Sequence, residues 1–265
     1  MSTETLRDVY QYSPGSIAPN IRRLFMETST INNVPVSVVL PSYNELANIK
    51  EAIDRISATL GDQLLEIIIV DDDSPDETWK LVEELNHPKV QLIRRVHEKG
   101  LASALKTGVE SAQGDVIVWL DCDLGIPPEE INNLVNQLDE YDVAIGSRFV
   151  SGGSDSRARW TTLFSRGLNI FARLLLGSQV RDYTSGFIAV KKEVLARTTI
   201  NPVGFGQYFI EFAYRCHKNG YRIIEIGYAY GDRKGGVSKS TDRVVTFFRL
   251  GMSYIRKVLE LKLKG

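Results

Sequence analysis

From Pro35 onward, short apolar runs alternate with segments in which apolar residues recur every three or four positions. The runs VSVVLP from Val36, EIIIVDD from Glu66, VQLIR from Val90, DVIVWLD from Asp115 and DVAIGSR from Asp142 have the length and β-branched content of buried strands. Between the first two, Leu46, Ile49, Ile53, Ile56 and Leu60 share one helical face, which predicts a helix from Glu45 with Asn44 at the turn into it. Ser74-Pro75-Asp76-Glu77 predicts another helix start, with Ser74 as N-cap, Pro75 at the first helical position and Glu77 completing a capping box. Leu101 to Ala112 reads as a third helix. Pro127-Pro128-Glu129-Glu130 opens a fourth along Ile131, Leu134, Val135 and Leu138, with both glutamates near the positive end of its dipole. This alternation predicts an α/β fold, a mostly parallel sheet with helices on both faces.

In open sheets of this kind ligands bind beyond the carboxyl ends of the strands. The polar residues gather there: Tyr43-Asn44-Glu45, Asp71-Asp72-Asp73, Asp121-Cys122-Asp123 and Gly146-Ser147-Arg148. One tip alone reads equally well as a solvated turn, but four in register favour a nucleotide or phosphate-ester site. The Asp121-Cys122-Asp123 tip offers hard oxygen ligands to a divalent cation, and Mg²⁺ typically pairs one or two carboxylates with water and substrate phosphates.

Composition narrows the classes. The chain has 265 residues and a net charge of −1, which argues against a nucleic-acid binder driven by overall basicity. Cys122 and Cys216 lack metal-ligand spacing, so a reducing compartment is expected. His87, His97 and His217 stand among polar residues and read as surface or structural groups. The start MSTETLRDVY has no secretory pattern, and no apolar run reaches the roughly 18 residues of a membrane span. A cytoplasmic protein with at most peripheral membrane attachment is the expectation. Residues 1–33, with Ser-Pro-Gly and Asn-Asn turn signals, read as an N-terminal arm, and there is no internal repeat.

VSVVLPSYNE, IIIVDDDSPDET, WLDCDL with PPE soon after, and GSR resemble, in order, family 2 glycosyltransferases of GT-A (Rossmann-like) fold. Later blocks extend the likeness to about Ser240: FSRG at Phe164, DYTSGF at Asp182 followed by KKEVL, and GDRKGGVSKS at Gly231. Within that family the chain is most similar to dolichol-phosphate and polyprenyl-phosphate mannosyltransferases. The resemblance implies a catalytic domain over 34–240; composition adds acceptor or interface helices at about 156–181 and a basic amphipathic C-terminal helix over 241–265.

It also implies roles. Pro41, Tyr43 and Glu45 would line the nucleobase and ribose end of a nucleotide sugar, with Val70 and Asp72 placing the base. Asp121, Cys122 and Asp123 would meet the ribose and diphosphate, with Asp121 and Asp123 as ligands of Mg²⁺ or Mn²⁺ and Asp123 the more direct. Arg148, Arg233 and Lys239 fall on basic positions around the diphosphate and acceptor phosphate, and Asp123, Arg233 and Lys239 are the implied catalytic set. Two residues depart from the pattern. Gly125 stands where a polar metal-supporting side chain is usual, and Asp73 stands where Gly is usual; Asp tolerates left-handed backbone better than most residues.

The implied reaction is metal-dependent, inverting transfer of a hexose, mannose from GDP-mannose above all, to a polyprenyl phosphate. An acceptor phosphate is already anionic, so positioning matters more than a general base; Glu211, in QYFIEFAYR, is the candidate base or the partner of a basic group. The glycines of Gly231 to Ser240 fit a lid over the diphosphate, since no GK[ST] ending makes them a P-loop. Between Asp155 and Asp182 there is no acidic residue, while Arg157, Arg159, Arg166, Arg173 and Arg181 interleave with apolar residues, and the tail from Arg243 is similar. Both segments have an interfacial composition; packing on the sheet or a dimer contact is the plain alternative. Three other readings stay open: a UDP-sugar enzyme acting on a glycan, protein or small molecule, a non-catalytic nucleotide-sugar-binding subunit of a membrane complex, and a homo-oligomer. A nicotinamide-dependent enzyme is disfavoured, because no G-x-G-x-x-G follows the first strand.

Overall fold

The computed structural model describes residues 34–231 and 244–264. The expected arm at 1–33, Arg233, Lys239 and the rest of the glycine-rich stretch after Gly231 lie outside the described residues. The strands are β1 (Val36–Ser42), β2 (Leu64–Asp71), β3 (Val90–Arg94), β4 (Val116–Trp119), β5 (Val143–Ser147), β6 (Ser154–Asp155), β7 (Ile188–Lys191), β8 (Ile223–Gly227) and β9 (Ala229–Tyr230). The α-helices are α1 (Ile49–Leu60), α2 (Thr78–Leu85), α3 (Leu101–Ser111), α4 (Ile131–Val135), α5 (Arg159–Leu176), α6 (Lys192–Arg197), α7 (Gln207–Lys218) and α8 (Val244–Lys264).

Seven strands form one sheet in the order β3-β2-β1-β4-β7-β5-β8, and β6 pairs with β9 in a small second sheet. Every pairing in the large sheet is parallel except those of β7, which runs antiparallel between β4 and β5. The alternation along each strand builds two apolar layers. Val36, Val38 and Leu40 of β1 join Ile67 and Ile69 of β2 beneath Ile49, Ile53 and Ile56 of α1 and Ile131 and Leu134 of α4. Val39, Ile68 and Val70 point the other way and pack with Leu105 of α3, Leu176 of α5, Phe212 of α7 and Val258 of α8. Both faces are thus covered, as buried strands of this kind require. The reversed β7 and the edge strand β8 were not foreseen in the sequence.

Two helix starts differ from expectation, for one reason. α1 begins at Ile49, so Leu46 is exposed rather than on the apolar face. α2 begins at Thr78, and Ser74 is not its cap. Ser74 instead donates its hydroxyl to Asp71 at 2.6 Å and accepts the N–H of Asn44 at 3.0 Å. Asp76 accepts the N–H groups of Leu46 and Thr78, both at 3.1 Å, and Thr78 Oγ1 accepts that of Glu45 at 3.0 Å. The polar side chains that read locally as caps tie the β1 tip to the β2 tip across some thirty residues, a competition familiar for Ser, Thr and Asp. Asn44 and Asp73 adopt left-handed backbone, φ 55° and 54°, so the aspartate departure leaves that turn intact.

Candidate active site

The tips of β1, β2 and β4 surround a cavity of about 230 Å³. Pro41, Tyr43, Glu45, Asp72, Asp121, Cys122 and Asp123 line it together with Ser42, Lys99, Gly100, Leu101, Ala104 and Phe205. Seven of the residues singled out in the sequence therefore meet in one place. Val70 does not reach it; its side chain is fully buried in the layer under α3.

Asp72 is held from two sides. Arg95 donates to its Oδ1 from Nε at 2.7 Å and from Nη2, and the N–H of Gly100 donates to Oδ2 at 2.7 Å. Arg95 and Asp72 are both nearly buried, and Arg95 also donates to the carbonyl of Gly100 at 3.1 Å. This network fastens the β3–α3 loop to the β2 tip, so Lys99 and Leu101 stand as a wall of the cavity. The Lys99 ammonium lies 5.1 Å from the centre of the Tyr43 ring. Neither Lys99 nor Phe205 was picked out in the sequence. The only local signal was Gly100 before an amphipathic helix, where φ is 145°.

At the acidic tip Asp123 is almost fully buried, and its Oδ1 accepts the N–H of Gly125 at 3.0 Å. The Cys122 thiol points back to the carbonyl of Pro41 at 3.2 Å, locking the β4 tip to β1. A Cβ at Gly125 would lie 3.1 Å from both Asp123 Oδ1 and the Tyr230 ring, tighter than ordinary contact. A side chain in place of the glycine that departs from the pattern would need Tyr230 or the Asp123 carboxylate to give by a few tenths of an ångström. Among the described residues no cluster of three or more His, Cys, Asp or Glu side chains is arranged to hold a metal ion. Two carboxylates are nevertheless a hard-oxygen donor set, the kind that binds Mg²⁺ or Mn²⁺ when water and ligand oxygens complete the shell.

Arg148, expected around the diphosphate and acceptor phosphate, is buried and is not among the residues that line the cavity. It donates to Asp182 from its backbone N–H at 3.1 Å, Nε at 2.8 Å and Nη2 at 2.7 Å, with Asp155 3.8 Å away. Burial alone would raise the Asp182 carboxyl, but the attraction and hydrogen bonds of Arg148 outweigh it and hold it below the usual carboxylate range. Arg157 grips Asp155 at 2.9 and 2.6 Å, and both guanidiniums face the Tyr230 ring. The cations therefore stand behind Tyr230, which itself backs the acidic tip.

Glu211 is equally committed. It accepts from Lys257 at 3.0 Å, Asn201 at 2.9 Å and Arg215 at 2.9 Å. Burial would raise its carboxyl, yet these partners hold it below the ordinary value. The chain leaves the described residues at Gly231, whose N–H donates to the carbonyl of Gly125 at 2.9 Å.

Residues 37–199 match the model of Glycosyl transferase family 2. The chain is 37% identical over 231 residues to a dolichol-phosphate mannosyltransferase of Pyrococcus furiosus, covering 85% of this chain but only 63% of that protein's length. It is 33% identical to a polyprenol monophosphomannose synthase of Mycolicibacterium smegmatis, over 76% of this chain and 79% of the relative. Among solved structures, glucosyl-3-phosphoglycerate synthase of Mycobacterium tuberculosis in complex with Mn²⁺, uridine diphosphate and phosphoglyceric acid superposes with a TM-score of 0.69. That likeness, at 21% identity over 86% of this chain and 78% of the other, speaks for the fold.

Proposed function

We propose that this chain, which belongs to Glycosyl transferase family 2 and has a GT-A fold, moves a hexose, mannose from GDP-mannose, to a polyprenyl phosphate. The observation that carries the reading is the convergence of Pro41, Tyr43, Glu45, Asp72, Asp121, Cys122 and Asp123 on one cavity. Relatives named for mannosyl transfer to dolichol or polyprenol phosphate support the substrate class.

In this reading Pro41 and Tyr43 form the surface against which the base lies, and the Asp72–Arg95–Gly100 network keeps the opposite wall in place. Asp121 and Asp123 hold Mg²⁺ or Mn²⁺, which when bound supplies Lewis-acid stabilisation of the departing nucleoside diphosphate. Arg233 and Lys239 add positive charge where that diphosphate develops. Glu211 is occupied by Lys257, Asn201 and Arg215, which agrees with an acceptor that arrives as an anion and needs no deprotonation. Attack from the face opposite the diphosphate inverts the anomeric centre.

The acceptor is a membrane lipid, and two helices supply a surface to meet it. No helix among the described residues is long and apolar enough to cross a membrane. α5 buries Leu168, Ala172 and Leu176 but exposes Trp160, Leu163, Ile170 and Leu174, the last by 79%, on one stripe bordered by Arg159 and Arg166. α8, packed against α5, exposes Met252, Leu259 and Leu263 beside Arg256 and Lys262. Basic residues near an anionic leaflet contribute ~1 kcal/mol each, enough for several to hold the protein at the cytoplasmic face.

The decisive assay gives purified protein labelled GDP-mannose, UDP-glucose or UDP-GlcNAc with polyprenyl phosphate and Mg²⁺ or Mn²⁺, and follows label into organic solvent. Label from GDP-mannose is expected, abolished by chelator and reduced by about 100-fold or more in Asp123→Ala, as for loss of a principal electrostatic group. No transfer from any donor by the isolated chain would overturn the reading in favour of a non-catalytic subunit. Transfer from a UDP-sugar alone would overturn the donor assignment.

A further inference from the structure

One wall of the cavity comes from outside the nucleotide-binding strands. Phe205, in the loop that enters α7, lines it and remains 42% exposed. Side chains of α7 and α8 hold that loop. Gln207 Oε1 accepts the N–H of Phe205 at 2.6 Å, while Gln207 Nε2 donates to Ser253 Oγ on α8. Ser253 in turn donates to the carbonyl of Leu250 at 2.5 Å, which fixes its hydroxyl as the acceptor for Gln207. Asn201 Oδ1 accepts the N–H of Val203 at 3.1 Å, and the Asn201 amide is tied to Glu211 and through it to Lys257 of α8. Gly206 lies so close to Tyr254 that a Cβ there would collide with the tyrosine hydroxyl. The loop is therefore set from the C-terminal helix, some fifty residues further along the chain.

We propose that Phe205 is a donor-contacting residue and that α8 positions it through Ser253 and Gln207. The inference deepens the nucleotide-sugar reading and rests on it. A half-exposed aromatic that lines one cavity together with Leu101, Ala104 and Cys122 has apolar area that a bound ligand covers. Gln207 holds the backbone of Phe205 and not its ring, so its effect on the donor passes through the loop. Gln207 and Ser253 are thus positioning residues, and α8 is a working part of the donor cavity as well as a packing element.

The test uses the full chain, titrated calorimetrically with GDP-mannose and with UDP-glucose in Mg²⁺, together with steady-state transfer kinetics and melting curves. Phe205→Ala is expected to weaken donor binding about tenfold, ~1.4 kcal/mol, with Phe205→Tyr within about twofold of the wild type, a difference of ~0.4 kcal/mol. Ser253→Ala and Gln207→Leu are expected to raise the donor KM about threefold at nearly constant kcat and unchanged melting midpoint, ~0.65 kcal/mol. Wild-type donor affinity in Phe205→Ala overturns the assignment. A KM change in Ser253→Ala that merely follows a lowered melting midpoint overturns the positioning role. If the wild type binds neither nucleotide sugar, the reading beneath the inference fails as well, and the two failures are told apart by that one titration.

Discussion

Replacing Asp182 by Asn removes one charge from the Arg148 pair while keeping the side chain's shape. In the wild type three N–H groups of Arg148 converge on the carboxylate, and the two side chains are 5% and 0% exposed. The asparagine turns an NH₂ group toward guanidinium donors or gives up one acceptor, and among the described residues Arg148 keeps only Asp155, 3.8 Å away, as an ion-pair partner. Removing one partner of a buried pair costs ~3–5 kcal/mol, and the residual Asp155 contact places the expectation at the lower end. At roughly 2–4 °C per kcal/mol for a chain of this size, the melting midpoint should fall by about 6–12 °C. Urea unfolding followed by circular dichroism reads the same quantity. The pH dependence carries a sign. Because the Asp182 carboxyl is held low in the folded state, its stabilisation is fully present above the unfolded value of about 3.9 and is lost as the pH falls from there through the lower folded value. The variant should lack that part of the acid limb. A loss below ~1 kcal/mol, typical of exposed pairs, would mean that Arg148 is not structurally committed and is available to a substrate phosphate.

Gly125→Gln introduces the polar side chain that the family resemblance implies at this place, but its Cβ would press on Tyr230 and Asp123; a stability loss of ~1–3 kcal/mol is expected, and tighter Mg²⁺ binding by calorimetry at unchanged stability would contradict the packing argument. Arg95→Met leaves the buried Asp72 carboxylate with Gly100 alone; it should cost ~3–5 kcal/mol in urea unfolding and raise the donor KM, and wild-type values for both would show the network to be dispensable. The double variant Leu163→Glu, Leu174→Glu changes two outward residues of α5; it should leave the melting midpoint within a few degrees, as surface changes do, and abolish co-sedimentation with vesicles containing phosphatidylserine. Unchanged sedimentation would remove α5 from the membrane surface.

The strand–helix alternation of the first half was readable because it rests on local periods of 2 and 3.6, which each residue obeys with its near neighbours. The same locality made the acidic tip visible: apolar Val116 to Leu120 followed at once by Asp121 and Asp123 needs no knowledge of the fold. The misplaced helix starts show the limit. Ser74 has the right spacing to cap a helix, yet spends its hydrogen bonds on Asn44 and Asp71, because folding sets the β1 tip beside the β2 tip.

The sequence by itself determined the α/β class, the places of the first five strands along the chain and, with the family resemblance, seven residues that meet at the strand tips. Only the tertiary structure decided that β7 runs backwards between β4 and β5, that Arg148 belongs to Asp182, that Gly125 lies against Tyr230, and that Phe205 and Lys99 wall the cavity. These outcomes depend on pairings between residues tens of positions apart, chosen by which buried charge finds a partner and which ring fills a gap. Such choices leave no period in the chain, because neither partner's neighbours in sequence take part in them.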